Sequence, residues 1–256
     1  MVNETKKFNL KENLQFNWVL PIFIHPKKAT KNIIEQEKPV WLTPLLILSV
    51  LVILAGLIAW PIRRNAIING FTMPEDFQYY STDQQTQFLE AQSSQSSALM
   101  TFIFPVIGSL IGIWLFWFLA SSILHMGHFI SGSSTAKGGY FNLVAWAMSP
   151  FIVRQVIQIL AMLISQKTIS AAGLSGFVNG TGAGAGYLAG ILGQVDLYFI
   201  WMIVLLLLGI VPLSGLMKTK SWAVTGVTLL MMVLLMAVPQ FIQSIISGFS
   251  SSGMYY

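Results

Sequence analysis

The sequence predicts an all-α integral membrane protein: a bundle of five transmembrane helices preceded by an amphipathic interfacial segment. Three observations predict it. Of the 256 residues, 55% are hydrophobic and 9% charged, whereas an ordinary soluble domain carries about 25% charged residues. The apolar residues gather into uncharged runs long enough to match the roughly 30 Å hydrocarbon core of a bilayer. The lysines collect in alternate connections between those runs, the pattern that fixes orientation in a membrane. There is no cysteine, which excludes disulfides, thiolate metal sites, a cysteine nucleophile and a lipidated cysteine.

Residues 1–40 form a polar, lysine-rich cytosolic or interfacial segment. Phe16, Trp18, Leu20, Ile22 and Phe23 lie close to Lys27 and Lys28, a combination that settles at headgroup depth. Pro26 opens a short helix through Glu37 with Ala29, Ile33 and Ile34 on one side. The expectation is an amphipathic elbow on the membrane, against the alternative of a solvated tail.

The transmembrane domain is expected over 41–247. Span one is Trp41 to Trp60. A polar outer stretch follows, with Arg63, Arg64, Glu75, Asp76, Asp83 and Glu90; its Gln/Ser-rich part from Asp83 to Ser97 reads as a loop or an extension of the next helix. Span two covers 99–124, and a Gly/Ser-rich turn runs from His125 to Gly139. Span three covers 140–164, span four 197–217 and span five 222–246, with a short basic turn from Lys218 to Ser221 between the last two. Residues 248–256 form a short tail. Between spans three and four, Gln166 to Asp196 is uncharged from Ile169 to Val195 but rich in glycine, a poor helix former. An ordered loop or re-entrant segment is expected there; a sixth span would change the side on which the chain ends.

With the N-terminus in the cytoplasm, Lys6, Lys7, Lys11, Lys27, Lys28, Lys31, Lys38, Lys137, Lys218 and Lys220 lie inside. Only Arg63, Arg64 and Lys167 lie outside. This predicts a multi-pass protein of the cytoplasmic membrane with its N-terminus in and its C-terminus out.

Span three holds Arg154, Gln155 and Gln158. A charge at bilayer depth must face protein or water. Ala147, Arg154, Gln158, Ala161 and Ser165 fall within about 60° on a helical wheel, so small and polar residues share a face suited to helix contact. Asp196, at the outer start of span four, is a candidate partner for Arg154. Arg154 has two readings, part of a substrate or ion path or an interhelical tie. All nine acidic residues lie outside the spans or at their ends, which favours the tie. In span two, Gly108 and Gly112 make a GxxxG spacing that suits close helix packing. His125 and His128 are three apart, a spacing two metal-binding imidazoles could use, but two histidines alone do not complete a site. Gly132 to Gly139, GSSTAKGG, lacks the Gly-Lys-Ser/Thr ending of a phosphate loop. No HExxH, GxSxG or carboxylate pair suggests catalysis. Asn179-Gly-Thr181 fits a glycosylation sequon.

Three stretches carry a family resemblance: HPKKATKNIIEQEKPVWLTPLLIL with Pro26 and Pro39; GGYFNLVAWAMSP with Gly138, Gly139 and Pro150; and DLYFIWMIVLLLLGIVPLSGLMKTKSWAV with Trp201 and Gly209. In this order and spacing, over about residues 16–247, the chain resembles the Yip domain family of Ypt/Rab-interacting-type membrane proteins, in its prokaryotic branch. The long outer loop after span one and the glycine-rich connection after span three depart from the family pattern. The resemblance implies five spans, a cytosolic N-terminus, no catalytic activity and no cofactor. Eukaryotic relatives bind small GTPases in vesicle traffic, whereas some prokaryotic members are thought to accompany export-type ABC transporters. The expected function is thus a non-enzymatic scaffold or accessory subunit in membrane transport or trafficking. Its expected partners are the lipid bilayer, ABC transporter subunits or further copies of itself, not nucleic acid. The alternative is a small transporter or channel that uses the polar face of span three.

Overall fold

The computed structural model describes residues 14–169, 172–180 and 182–252, so Lys6, Lys7, Lys11, Thr181 of the sequon and the last four tail residues lie outside them. Among the described residues all regular structure is helical. A short turn at Phe16–Trp18 and a four-residue helix at Pro21–Ile24 lead to α1, Pro26–Ile34. Proline opens both helices, where its missing N–H costs nothing. The apolar residues of this segment are divided. Ile22, Ala29 and Ile33 are buried against protein, while Phe16, Leu20 and Ile24 remain exposed.

Helix α2, Leu42–Asn69, runs past the expected end of span one and continues through Pro61, Arg63 and Arg64. Helix α3, Thr82–Gln95, is the polar extension. Ser81 and Gln84 close it with a reciprocal capping box, Ser81 Oγ accepting from the Gln84 N–H and Gln84 Oε1 from the Ser81 N–H. A wider π turn at Leu99–Ile103 leads into α4, Phe104–Ile130. The sequence placed a turn from His125 onward. The helix instead continues to Ile130: the apolar residues Leu124, Met126, Phe129 and Ile130 carry it past Gly127, which keeps helical backbone, and it ends before Gly132, at φ +98°.

Span three is two helices, α5, Lys137–Ala147, and α6, Pro150–Ser165. Proline disfavours helical backbone in the residue before it, and the break falls at Met148 and Ser149. Gly138 and Gly139 belong to α5, not to the turn expected of them. In the glycine-rich connection, α7, Ala183–Leu192, has ten residues, about 15 Å of helix, half a hydrocarbon core. Then come α8, Leu197–Ser214, closed by Gly215 at φ +66°, and α9, Lys218–Ser252. The basic turn of the sequence reading is the first turn of α9, and the tail is helical to Ser252. Among the described residues five helical stretches are long and apolar enough to cross a membrane: Leu42–Asn69, Thr82–Ile130, Lys137–Ser165, Leu197–Ser214 and Lys218–Ile245.

The chain forms two compact units. One comprises the chain through Ile47, Trp114–Val153 and the chain from Ala171 onward. In it α1, α5 and α8 pack on one another, α8 packs on α9, and α7 lies along α9. Small residues permit that last contact: a Cβ on Gly190 would come within 3.1 Å of the Ala237 backbone. Pro239 lies within α9, and carbonyls before it are reached by the Tyr187 hydroxyl of α7, to Leu234, and by Nε2 of Gln194, just after α7, to Val233.

The other unit comprises Leu48–Ile113 and Arg154–Ser170. Ala55 and Ala59 of α2 receive Met162 and Ile159 of α6. Gly56 lies against Val106 and Phe102, where a Cβ would overlap Val106. Pro105 has no N–H to give the Thr101 carbonyl, and Arg63 Nη1 donates to that carbonyl at 3.3 Å. That bond gives a charged residue inside a long apolar helix a reason to be there. Phe71, Phe77, Tyr80 and Phe88 form a small aromatic cluster where α2 connects to α3.

Candidate functional site

Two polar constructions stand out in the first unit, both inside apolar surroundings. The first is a clasp on the linker between α1 and α2. Residues 38–40 are not helical, so their backbone groups need partners. Asn142, 1% exposed, supplies two of them. Its Oδ1 accepts from the Val40 N–H at 2.9 Å, and its Nδ2 donates to the Lys38 carbonyl at 3.0 Å. Trp146, one helical turn on, donates its indole N–H to the Val40 carbonyl at 3.0 Å. Pro39, between them, has no donor to satisfy. Trp18 lies against Trp146 at 5.8 Å, and the Gln15 N–H donates to Thr43 Oγ1 at 2.8 Å. The interfacial segment is therefore fastened to the membrane helices at several points.

The second construction is a seam where the α4–α5 loop meets the end of α8. A helix ends with unpaired carbonyls. Here loop hydroxyls take the place of water: Ser133 Oγ donates to the Ser214 carbonyl at 2.7 Å and Thr135 Oγ1 to the Leu213 carbonyl at 2.6 Å. The Tyr140 hydroxyl lies 3.1 Å from Ser133 Oγ, and Ser214 Oγ lies 2.8 Å from Ser221 Oγ on α9. Lys220 Nζ donates to the Ser131 carbonyl at 2.6 Å. Ser133, Tyr140, Ser214 and Ser221 are all buried. A satisfied buried network of this kind fixes one arrangement of the helix ends.

Two of the glycines that carried the family resemblance are close-packing points. Gly209 of α8 abuts Leu143 of α5 and Thr30 of α1, and a Cβ there would overlap both. Gly139 lies against Leu213. Trp201 meets Phe23 of the interfacial segment at 5.5 Å. Pro26 opens α1 and Pro150 opens α6. Gly138 faces open space.

The remaining sequence candidates are dispersed. His128 is buried, its Nδ1 lies 2.8 Å from the Leu124 carbonyl, and its ring packs on Tyr140, as does that of His125. The Leu124 carbonyl makes Nδ1 the protonated nitrogen of His128. Among the described residues no group of three or more His, Asp or Glu side chains could hold a metal ion. Asp196 caps α8, its carboxylate accepting from the Phe199 N–H at 2.7 Å. On α6, Arg154, Gln155 and Gln158 are half-buried, while Val156, Ile157, Leu160 and Leu163 are exposed. The residues of α6 that pack on α2 are Ile159 and Met162; Met162 lies about 80° around the helix from Arg154. Ala161 and Ser165, grouped by the wheel with Arg154, are exposed. Gly108 and Gly112 meet nothing within 4 Å of an added Cβ, so their spacing makes no close contact within this chain.

Asn142, Trp146, Ser133, Ser214 and Ser221 were not singled out from the sequence. The available signal was the presence of hydrogen-bonding side chains within or beside apolar helices, where each needs a partner. No curated protein and no solved structure matches the chain. A family model described as the Yip1 domain matches residues 21–239, a stretch that takes in the clasp, the seam and both close-packed glycines. The chain is thus a multi-pass helical membrane protein that belongs to the Yip1 domain family.

Proposed function

We propose that this protein is a non-enzymatic scaffold or accessory subunit in membrane transport or trafficking, with its N-terminus in the cytoplasm and its C-terminus outside. The observation that carries the proposal is the clasp: Asn142 and Trp146 hold the segment before α2 in one place. A fastened surface that offers Phe16, Leu20 and Ile24 beside Lys27, Lys28 and Lys31 suits docking, since its ordering cost is met before a partner arrives. The polar groups of the clasp and seam are engaged in hydrogen bonds within the chain, which suits a structural role. ABC transporter subunits or a second copy are the partners we propose. Photocrosslinkers at Leu20 and Lys28 in native membranes are expected to trap one protein in stoichiometric yield. Adducts with lipid alone, from a protein that stays monomeric, would reject the scaffold.

The rival is a small transporter or channel. It is favoured by the half-burial of Arg154, Gln155 and Gln158 on a helix that leaves Val156, Ile157, Leu160 and Leu163 exposed. On the scaffold proposal, Arg154→Leu leaves ion and solute flux in liposomes at the protein-free level, as does the wild type. Wild-type flux abolished by Arg154→Leu would replace the scaffold with the transporter.

A further inference from the structure

A cleft of about 560 Å³ opens between α1 and the end of α8, lined by Lys27, Lys31, Ile34 and Glu35 on one wall and Thr135, Leu208, Pro212 and Leu213 on the other. We propose that it binds one membrane phospholipid whose headgroup pairs a phosphate with a primary ammonium, as in phosphatidylethanolamine.

The chemistry of the two walls is complementary to such a headgroup. Lys27 and Lys31 are one turn apart on α1 and direct two cations at one side of the cleft. Glu35 follows by a further turn, with Glu35 Oε1 3.9 Å from Lys31 Nζ. That pair is solvent-exposed and holds weakly, so either member can exchange its partner for a ligand group. The opposite wall adds an acceptor. Pro212 lies within α8 and has no N–H, so the Leu208 carbonyl one turn before it receives no helical bond from that position. Leu208 and Pro212 both line the cleft, which places the deprived carbonyl on the lining face. A headgroup phosphate on Lys27 and Lys31 brings its ammonium to Glu35 and this carbonyl. A primary ammonium donates to both; a quaternary one has no N–H to give.

Depth selects a lipid over a soluble phosphate. The cleft lies at the last turns of α8, a helix of membrane-spanning composition that stops at Ser214, and the basic start of α9 follows. Its charged lining comes from α1 alone, and Ile34, Leu208, Pro212 and Leu213 make the rest of the lining largely apolar. Such an apolar lining has nothing to offer an inorganic anion but suits the start of an acyl chain.

The test is lipid retention by the full-length protein in detergent, read by native mass spectrometry after exchange with phosphatidylethanolamine, phosphatidylcholine or phosphatidylglycerol. The wild type is expected to retain phosphatidylethanolamine preferentially, and Lys27→Ala with Lys31→Ala is expected to weaken retention about tenfold. Glu35→Gln should erase the preference for phosphatidylethanolamine over phosphatidylglycerol. Lys28→Ala, on the same helix but outside the cleft, should leave the retention of all three lipids at the wild-type level. Pro212→Ala separates binding from folding: it supplies an N–H to Leu208, so retention should fall while the melting temperature holds or rises. Equal retention of the three lipids by the wild type, or undiminished retention by the double variant, would overturn the proposal. So would displacement of the lipid by millimolar inorganic phosphate, which would make the site one for a free anion.

Discussion

Replacing Asn142 by Leu is expected to release the interfacial segment from the membrane helices. Leucine has the branched outline of asparagine and as many heavy atoms, but can neither donate nor accept. The Val40 N–H and the Lys38 carbonyl would lose their partners, at a cost of about 2–4 kcal/mol. Val40 is 1% exposed, so water does not reach its N–H unless the linker moves outward. Limited trypsin digestion reads the movement: cleavage after Lys27, Lys28 and Lys31 should accelerate well before the membrane helices melt. Asn142→Asp, which keeps the acceptor for Val40 but loses the donor to Lys38, should fall between. If Asn142→Leu is digested at the wild-type rate, the clasp does not hold the segment.

Gly209→Val is expected to be the most damaging single change in the three-helix contact. The Cβ that valine adds would overlap Leu143 and Thr30 together, and one helix would have to shift. Overpacking of this kind costs about 1–3 kcal/mol, which lowers the melting midpoint of a protein this size by roughly 5 °C. The change should be partly reversed by Leu143→Ala, which empties the space that valine claims. A double-mutant cycle in which the two effects simply add would show that Gly209 and Leu143 do not share the contact. By contrast, Gly108→Ala should hold or slightly raise the melting midpoint of the isolated chain, because nothing lies within 4 Å of the added methyl and alanine is the better helix former.

The five apolar helices were legible because lipid solvation writes itself directly into composition. Their ends were not. Hydropathy marks where the hydrocarbon stops, whereas the backbone keeps its helical hydrogen bonds into the interface. Hence α2 continues through Arg63 and Arg64, α4 through His128, and α9 begins at Lys218. Arg63 looked discordant as an outer charge, and its bond to the carbonyl left over by Pro105 connects residues 38 apart in sequence. No local pattern encodes such a bond. The candidate site was legible only in fragments. Gly209, Trp201 and Pro26 were visible as landmarks without a role, and each has a specific place in the first unit. Asn142 passed unnoticed because a single amide in an apolar helix states a need without naming the group that meets it. Gly108 and Gly112 show the converse, a familiar spacing with no neighbour within this chain.

The burial of α5 bears on how the chain is made. From Tyr140 to Pro150 every residue is buried, and the helix carries Lys137, two glycines and Asn142, a poor composition for partitioning alone into lipid. Synthesis runs from the N-terminus, so the linker that carries Lys38 and Val40 is complete before Asn142 leaves the ribosome, whereas α8 with Gly209 does not yet exist. The clasp can therefore close during synthesis and shelter the amide from hydrocarbon. The glycine contact then locks α5 from its other side when α8 arrives. On this account the linker acts as an internal chaperone for the third span, and the order of segments along the chain is also an order of assembly.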